Sequence, residues 1–280
     1  MLQKLGLLVL ICFCQPIAAQ EGQPKRKLVI AGGGSLPDSI ISKFRELAGE
    51  RPRLVVIPTA SSTKPNEVAI SQLWKERGFE QVEVLHTRDK SDANKEEFSE
   101  VLNQAEAVWF GGGSQTRIAD AYCGTLVETR LFELLKRGGV IGGTSAGAAI
   151  QSKVMIASGR TEPQLKTGLG FLDECIIDQH FLARDRLRRS INAVKQQPQM
   201  IGIGIDEGTA LVVVDNDAEV IGRSYVLRIA SEKSGLDIRS YGNGEEVPLE
   251  KKAEMKVDAG LRRVQRLATE FTEDTETDER

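Results

Sequence analysis

Val140-Ile141-Gly142-Gly143-Thr144-Ser145-Ala146-Gly147-Ala148-Ala149-Ile150 is the stretch on which the fold turns. Two β-branched residues run into glycines and then into small, helix-compatible residues, so it reads as a strand, a sharp turn and a helix start. The same change of pattern recurs outward in both directions. Leu28-Val29-Ile30-Ala31 is a strand entering Gly32-Gly33-Gly34. Apolar residues at 40, 41, 44, 47 and 48 predict a helix over 37–49. A strand over 54–57 ends at Pro58, followed by a helix over 68–77, a strand over 82–85, a helix over 96–104 and a strand over 107–110. Residues 118–137 read as mostly helical and lead back to Val140. Short apolar runs without alternation, separated by helical periods, predict a mostly parallel sheet covered on both faces, a doubly wound α/β fold. Further strands are expected at 175–177, 202–205, 210–214 and 225–229. The last two, with Asp215-Asn216-Asp217 and Val220 between them, are expected as antiparallel hairpin strands at one sheet edge.

The turn at 143–147 fits Gly-x-Ser-x-Gly, in which a serine stands on a strained strand-to-helix turn. Glycines on either side remove Cβ clashes there, and the helix N-terminus offers N–H groups to a developing oxyanion. Ser145 is therefore the candidate nucleophile. A serine needs a general base, and the chain has two histidines. His86 lies in the polar stretch His86-Thr87-Arg88-Asp89 and reads as a surface turn. His180 ends the apolar run before it, in Ile177-Asp178-Gln179-His180-Phe181, where a parallel sheet presents site residues. His180 is the candidate base. The carboxylate that should hold its imidazole is Asp178, Asp206 or Glu207, and the chemistry alone leaves the three open.

Four motifs together resemble the cyanophycinases and the related dipeptidase E group of serine peptidases, over residues 27–229. They are Phe110-Gly111-Gly112-Gly113-Ser114-Gln115, Gly143-Thr144-Ser145-Ala146-Gly147-Ala148, Asp178-Gln179-His180-Phe181 with the arginines after it, and Gly204-Ile205-Asp206-Glu207. The resemblance implies a flavodoxin-like fold related to class I glutamine amidotransferases. It implies a Ser145, His180 and Glu207 triad, and the Gly112-Gly113 turn is expected to supply the second oxyanion N–H beside that of Ala146, with Gly113 the candidate and Gly112 left open. It also implies a pocket for β-aspartyl-arginine units built from Gln115, Asp178, Gln179, Arg184, Arg186 and Arg189. Arginine forks suit carboxylates, and Asp178 would then face a positive group of the substrate. One departure is Gly208, where asparagine is common in the family.

The opening residues read as a secretory signal peptide over 1–19, with Lys4 at its charged start, an apolar run over 5–14 and the small-residue exit Ala18-Ala19. Cleavage there would take the net charge from −3 to −4, because the segment carries Lys4 and no acid. A polar linker over 20–26, one hydrolase domain over 27–268 and an acidic, disordered tail over 269–280 complete the expected organisation. Export to the periplasm or outside the cell follows, with no stable membrane span after cleavage.

Composition narrows the partners. At 5% aromatic and slightly acidic, the chain has neither a stacking platform nor a basic footprint for nucleic acid. Gly32-Gly33-Gly34-Ser35-Leu36-Pro37 follows a strand, yet proline fills the sixth position of a dinucleotide fingerprint and no ribose-binding acid is evident. Cys123 and Cys175, the two cysteines beyond residue 19, read as buried apolar side chains rather than a disulfide framework. No zinc spacing occurs, and neither a metal nor an organic cofactor is expected. The expected partner is a peptide or cyanophycin-like polymer, and a homodimer is allowed. The sharp expectation is a cyanophycin-degrading exopeptidase. The blunter one is an exported peptidase for other Asp-containing or isoaspartyl peptides, and the alternative from another class is a non-catalytic binder.

Overall fold

A computed structural model describes residues 26–233 and 235–251. The expected signal peptide and acidic tail lie outside the described residues. The chain opens with β1 (Lys27–Ala31), α1 (Asp38–Ala48), β2 (Arg53–Ile57), α2 (Glu67–Glu76) and β3 (Gln81–Val84). A short α3 (Glu96–Ser99) passes into a 3-10 turn (Glu100–Asn103) before β4 (Ala107–Phe110), α4 (Gln115–Tyr122), α5 (Leu126–Lys136) and β5 (Val140–Thr144). These five strands are parallel, in the order β1-β5-β4-β2-β3.

Alternation along each strand divides the core into two layers. Val29, Ala31, Leu54, Val56 and Trp109 face α1 and α2. There Phe44, Trp74, Phe79 and Trp109 pack with ring centroids between 4.9 and 6.1 Å apart. Leu28, Ile30, Val55, Val108, Phe110 and Ile141 face the other way, onto Ile118 and Tyr122 of α4 and Val127, Leu131 and Leu134 of α5. Helices therefore cover both faces of the sheet, the doubly wound arrangement that the unbroken apolar strands require. Two expected helices differ in detail. The run over 118–137 is broken between α4 and α5, where Gly124 takes φ +70°. The helix over 96–104 is one short α turn continued as 3-10.

The second half begins with α6 (Ala146–Ala149), β6 (Val154–Ser158), β7 (Gln164–Thr167), β8 (Cys175–Gln179) and α7 (Leu187–Gln196). It continues with β9 (Ile201–Ile205), β10 (Thr209–Val214), β11 (Asp217–Gly222), β12 (Val226–Glu232) and β13 (Gly235–Tyr241). β10 pairs antiparallel with β1, and β11 pairs with β10, so an antiparallel edge does extend the parallel sheet. The hairpin partner, however, is β11 and not the run near 225–229. That run, β12, turns away to a second sheet of order β13-β12-β9-β8, in which β8 and β9 are parallel. Buried Ala218 and Val220 alternate with exposed Asp217 and Glu219, which is the pattern of a strand with one wet face. β6 and β7 form a separate hairpin.

The two sheets meet at the glycines after β1. The His180 N–H, just past β8, donates to the Gly32 carbonyl at 2.7 Å, and the Gly208 N–H donates to Gly33 at 2.9 Å. The C-terminal ends of β1, β4, β5, β8 and β9 thus converge on one region. At the opposite end of β1, Arg26 donates to Glu174 at 2.9 Å and through its backbone N–H to Asp215 at 3.1 Å, so the ordered fold already includes this last residue of the expected linker. Among the described residues no helix is long and apolar enough to cross a membrane.

Candidate active site

Ser145 links β5 to α6 with φ 54° and ψ −109°, a backbone conformation that costs a non-glycine residue on the order of 1–3 kcal/mol. Its surroundings hold it there. The Ser145 N–H donates to Ala31 at 3.0 Å, and its carbonyl accepts from Ala148 and Ala149, each at 3.0 Å. The flanking glycines are needed for space: a Cβ on Gly143 would meet the Gly147 backbone, and one on Gly147 would meet the Phe110 carbonyl.

His180, also at positive φ (50°), brings its ring to this turn. Its Nε2 lies 2.8 Å from Ser145 Oγ and its Nδ1 lies 2.5 Å from Glu207 Oε1. An ionised carboxylate only accepts, so Nδ1 carries the proton and Nε2 is left to accept from the serine hydroxyl. Burial lowers the His180 pKa from its ordinary value. The Glu207 hydrogen bond pulls it back up, and the Arg184 and Arg186 cations push it further down. The net lowering favours the neutral imidazole, the form that can accept a proton. The glycines after β1 make room for this pair. A Cβ on Gly33, at φ +111°, would come within 2.6 Å of His180 Nε2, and one on Gly34 would come within 2.9 Å of Glu207 Oε2.

The three carboxylates left open by the sequence part company here. Glu207 meets the imidazole, with 41% of its side chain exposed. Asp206 points the other way. It accepts the N–H groups of Leu182 and Ala183 at 3.0 and 2.9 Å and the Ser224 hydroxyl at 2.7 Å, bracing the loop just after His180. Burial raises the Asp206 pKa, but these donors, led by the Ala183 N–H, outweigh it and leave the carboxyl below its usual value.

Asp178 is 1% exposed and faces inward. Its Oδ2 accepts from Arg189 Nε at 2.8 Å and from the Ser190 hydroxyl at 2.7 Å. Its Oδ1 accepts from Arg189 Nη2 and, at 3.2 Å, from Arg186 Nη1. Arg189 also reaches the Gly159 carbonyl at 3.0 Å, tying α7 and the loop after β6 to β8. Asp178 and Arg189, both expected at the substrate, hold each other in a buried cluster. Gln179 accepts from Arg186 at 3.2 Å and belongs to the same cluster.

With this geometry in view, comparison with known proteins decides the family. The model described as peptidase family S51 matches residues 28–221. The chain belongs to peptidase family S51. A cyanophycinase of Geminocystis herdmanii (strain PCC 6308) is 34% identical over 202 residues, covering 67% of this chain and 73% of that protein. A cyanophycinase of Synechococcus elongatus is 33% identical over 214 residues, covering 71% of this chain and 66% of that protein. Among solved structures, a peptidase from an acI-B1 Actinobacterium superposes with a TM-score of 0.64 at 24% identity, over 79% of this chain and 96% of its own, a likeness of fold.

In this S51 chain the remaining candidates fall into two groups. The Gln115 amide is buried and donates to the Ile156 carbonyl at 2.6 Å, so it anchors β6 beside the glycine-rich turn. The Arg184 guanidinium is exposed and, among the described residues, makes no hydrogen bond or ion pair. Its backbone N–H donates to the His180 carbonyl at 3.0 Å. Arg184 is thus the one arginine of the three with its fork free. The Ala146 and Gly113 N–H groups also make no hydrogen bond among the described residues, and Gly112 passes close enough that its Cβ would lie 3.6 Å from the Ser145 Cβ. His86 is only partly exposed. Its Nδ1 lies 3.0 Å from the Thr59 hydroxyl, which is itself 2.8 Å from the Tyr122 hydroxyl. Cys123 and Cys175 are free thiols, and burial drives the Cys123 pKa up to about 11. Among the described residues no cluster of His, Cys, Asp or Glu could hold a metal ion.

Asp206 and the glycines at 32–34 brace the site, roles beyond the triad acid and the nucleotide loop that their sequence context suggests. The signal available was their position after a parallel strand, where glycine also serves close packing.

Proposed function

We propose that this chain is an exported serine peptidase of the cyanophycinase type. Ser145 Oγ attacks the carbonyl carbon of an aspartyl amide while His180 Nε2 takes the hydroxyl proton and Glu207 stabilises the imidazolium. The oxyanion collects on the Ala146 and Gly113 N–H groups, which have no competing acceptor among the described residues. His180 returns the proton to the leaving amine as the C–N bond breaks, leaving an acyl-enzyme. Water then adds to the ester with His180 as base, and Ser145 leaves with the proton. The observation that carries the reading is the continuous chain from Ser145 Oγ through His180 to Glu207.

The substrate class rests on the relatives named cyanophycinase and on the free guanidinium of Arg184 near the base. One fork of that kind suits the carboxylate of a β-aspartyl-arginine unit. The blunter reading, a peptidase for other isoaspartyl peptides, gains from the commitment of Asp178 and Arg189 to each other, which leaves fewer groups to read an arginine side chain. A fluorophosphonate probe should label Ser145 in the wild type and leave Ser145→Ala unlabelled at equal Tm. Cyanophycin and a panel of α- and β-aspartyl dipeptides then separate the substrates: release of β-aspartyl-arginine supports the first reading, and turnover of β-aspartyl dipeptides alone supports the second. No labelling and no turnover would leave a binding protein. Export rests on the residue pattern over 1–19, and N-terminal sequencing of native protein should begin at Gln20 or a near neighbour.

A further inference from the structure

The segment 206–209, which carries Glu207, is held between two neighbours. On one side lies the loop after β1, with the Gly32 N–H donating to Thr209 at 2.9 Å and the Gly208 N–H to Gly33 at 2.9 Å. On the other lies the link from β11 to β12. There the Arg223 N–H donates to Gly208 at 3.0 Å, the Ser224 N–H to the Thr209 hydroxyl at 2.8 Å and the Ser224 hydroxyl to Asp206. One side chain crosses from the second neighbour to the first. Arg223 is exposed, its Nη2 donates to the Ser35 carbonyl at 2.8 Å, and on its way the guanidinium lies over Gly208. A Cβ on Gly208 would stand 2.9 Å from Arg223 Nη2 and 3.0 Å from Nε. Gly34, one residue before Ser35, is the glycine packed on the Glu207 carboxylate.

We propose that Arg223 is a positioning residue for Glu207, and that position 208 is glycine so that this guanidinium can cross it. Gly34, the neighbour of Ser35, is the wall against which the Glu207 carboxylate rests. Arg223 ties that wall to the far side of the 206–209 segment and limits how far Glu207 can swing from His180 Nδ1. Gly208 sits at φ +66°, a conformation that asparagine also tolerates. Here the space that any side chain at 208 would fill holds Arg223 instead. The inference rests on the proposed serine mechanism, in which Glu207 holds the imidazole.

The test is a double-mutant cycle between positions 208 and 223, read on turnover of a small neutral ester and of cyanophycin, on the pH profile and on Tm. Arg223→Ala should lower kcat about tenfold with KM unchanged, since small misplacement of a catalytic group is costly. It should also move the acid limb of the profile down, because the Glu207 hydrogen bond is what raises the His180 pKa against burial and the Arg184 and Arg186 charges. Arg223→Lys, which can still reach the Ser35 carbonyl, should recover most of the loss. Gly208→Asn should displace the guanidinium and lose about as much as Arg223→Ala, and the double variant should be no worse than either single one. Independent losses that multiply, or Arg223→Ala with wild-type kcat and acid limb, would overturn the proposal. The low-field proton resonance of the His180 Nδ1–H provides a readout that needs no turnover. It should broaden or move upfield in Arg223→Ala, and if it stays unchanged the proposal fails. A wild-type protein that hydrolyses nothing sinks the proposed function, while this resonance still decides the role of Arg223.

Discussion

Replacing Asp178 by asparagine tests whether its carboxylate reads substrate or holds the site together. It lies two residues before His180, is 1% exposed, and accepts from Arg189, Arg186 and Ser190. Asparagine keeps the shape but turns one acceptor into a donor facing donors, and it leaves the buried Arg189 guanidinium without a counter-charge. Breaking a buried pair from one side costs about 3–5 kcal/mol. At about 2–4 °C per kcal/mol for a domain of this size, Tm should fall by about 6–20 °C. Arg184→Ala, at an exposed side chain without partners among the described residues, serves as the control and should leave Tm within about 2 °C. The assay is a thermal melt of both variants beside steady-state turnover of a β-aspartyl-arginine substrate. A melt of Asp178→Asn within about 2 °C of wild type, together with a selective rise in KM, would refute the reasoning and return Asp178 to the substrate.

Two more outcomes follow from the same geometry. Proton abstraction needs neutral His180, so kcat/KM should be lost as pH falls through its pKa, with the acid limb below the ordinary imidazole value of about 6.5. Arg184→Ala removes a cation that depresses that pKa, so the limb should move upward on a small neutral substrate; an unmoved limb would show that the charge is not felt at the ring. Gly33→Ala would press a Cβ on the His180 ring from a backbone at φ +111°, and activity should drop by on the order of 100-fold or more, whereas activity within threefold of wild type would show that the ring can yield.

Much of this was legible in the chain because each parallel strand is apolar throughout and each crossover helix has its own period. With only two histidines, one of them at a strand end, the partner of Ser145 was within reach of counting. The acids were not. Asp178, Asp206 and Glu207 all follow strand residues, and their roles differ only in which donors surround them: Arg189 and Ser190, the Leu182 and Ala183 N–H groups, or the imidazole. No spacing rule carries that information. The hairpin after β10 was misread because β12 has the stronger apolar run, whereas β11 interrupts Ala218, Val220 and Ile221 with exposed Asp217 and Glu219. The β6 and β7 pair was missed for a similar reason, since Gln164–Thr167 is short and mostly exposed. The break between α4 and α5 depends on a single left-handed residue, Gly124.

The place where β1 begins has a practical consequence. Arg26 is pinned to Glu174 and Asp215 at the end of β1 remote from Ser145. The last described residues share that side: Arg228 donates to the carbonyls of Pro248 and Glu250 on the strand pair that leads away from Glu207. An attachment made at Arg26 or Lys251 would therefore sit on the side of the body away from Ser145.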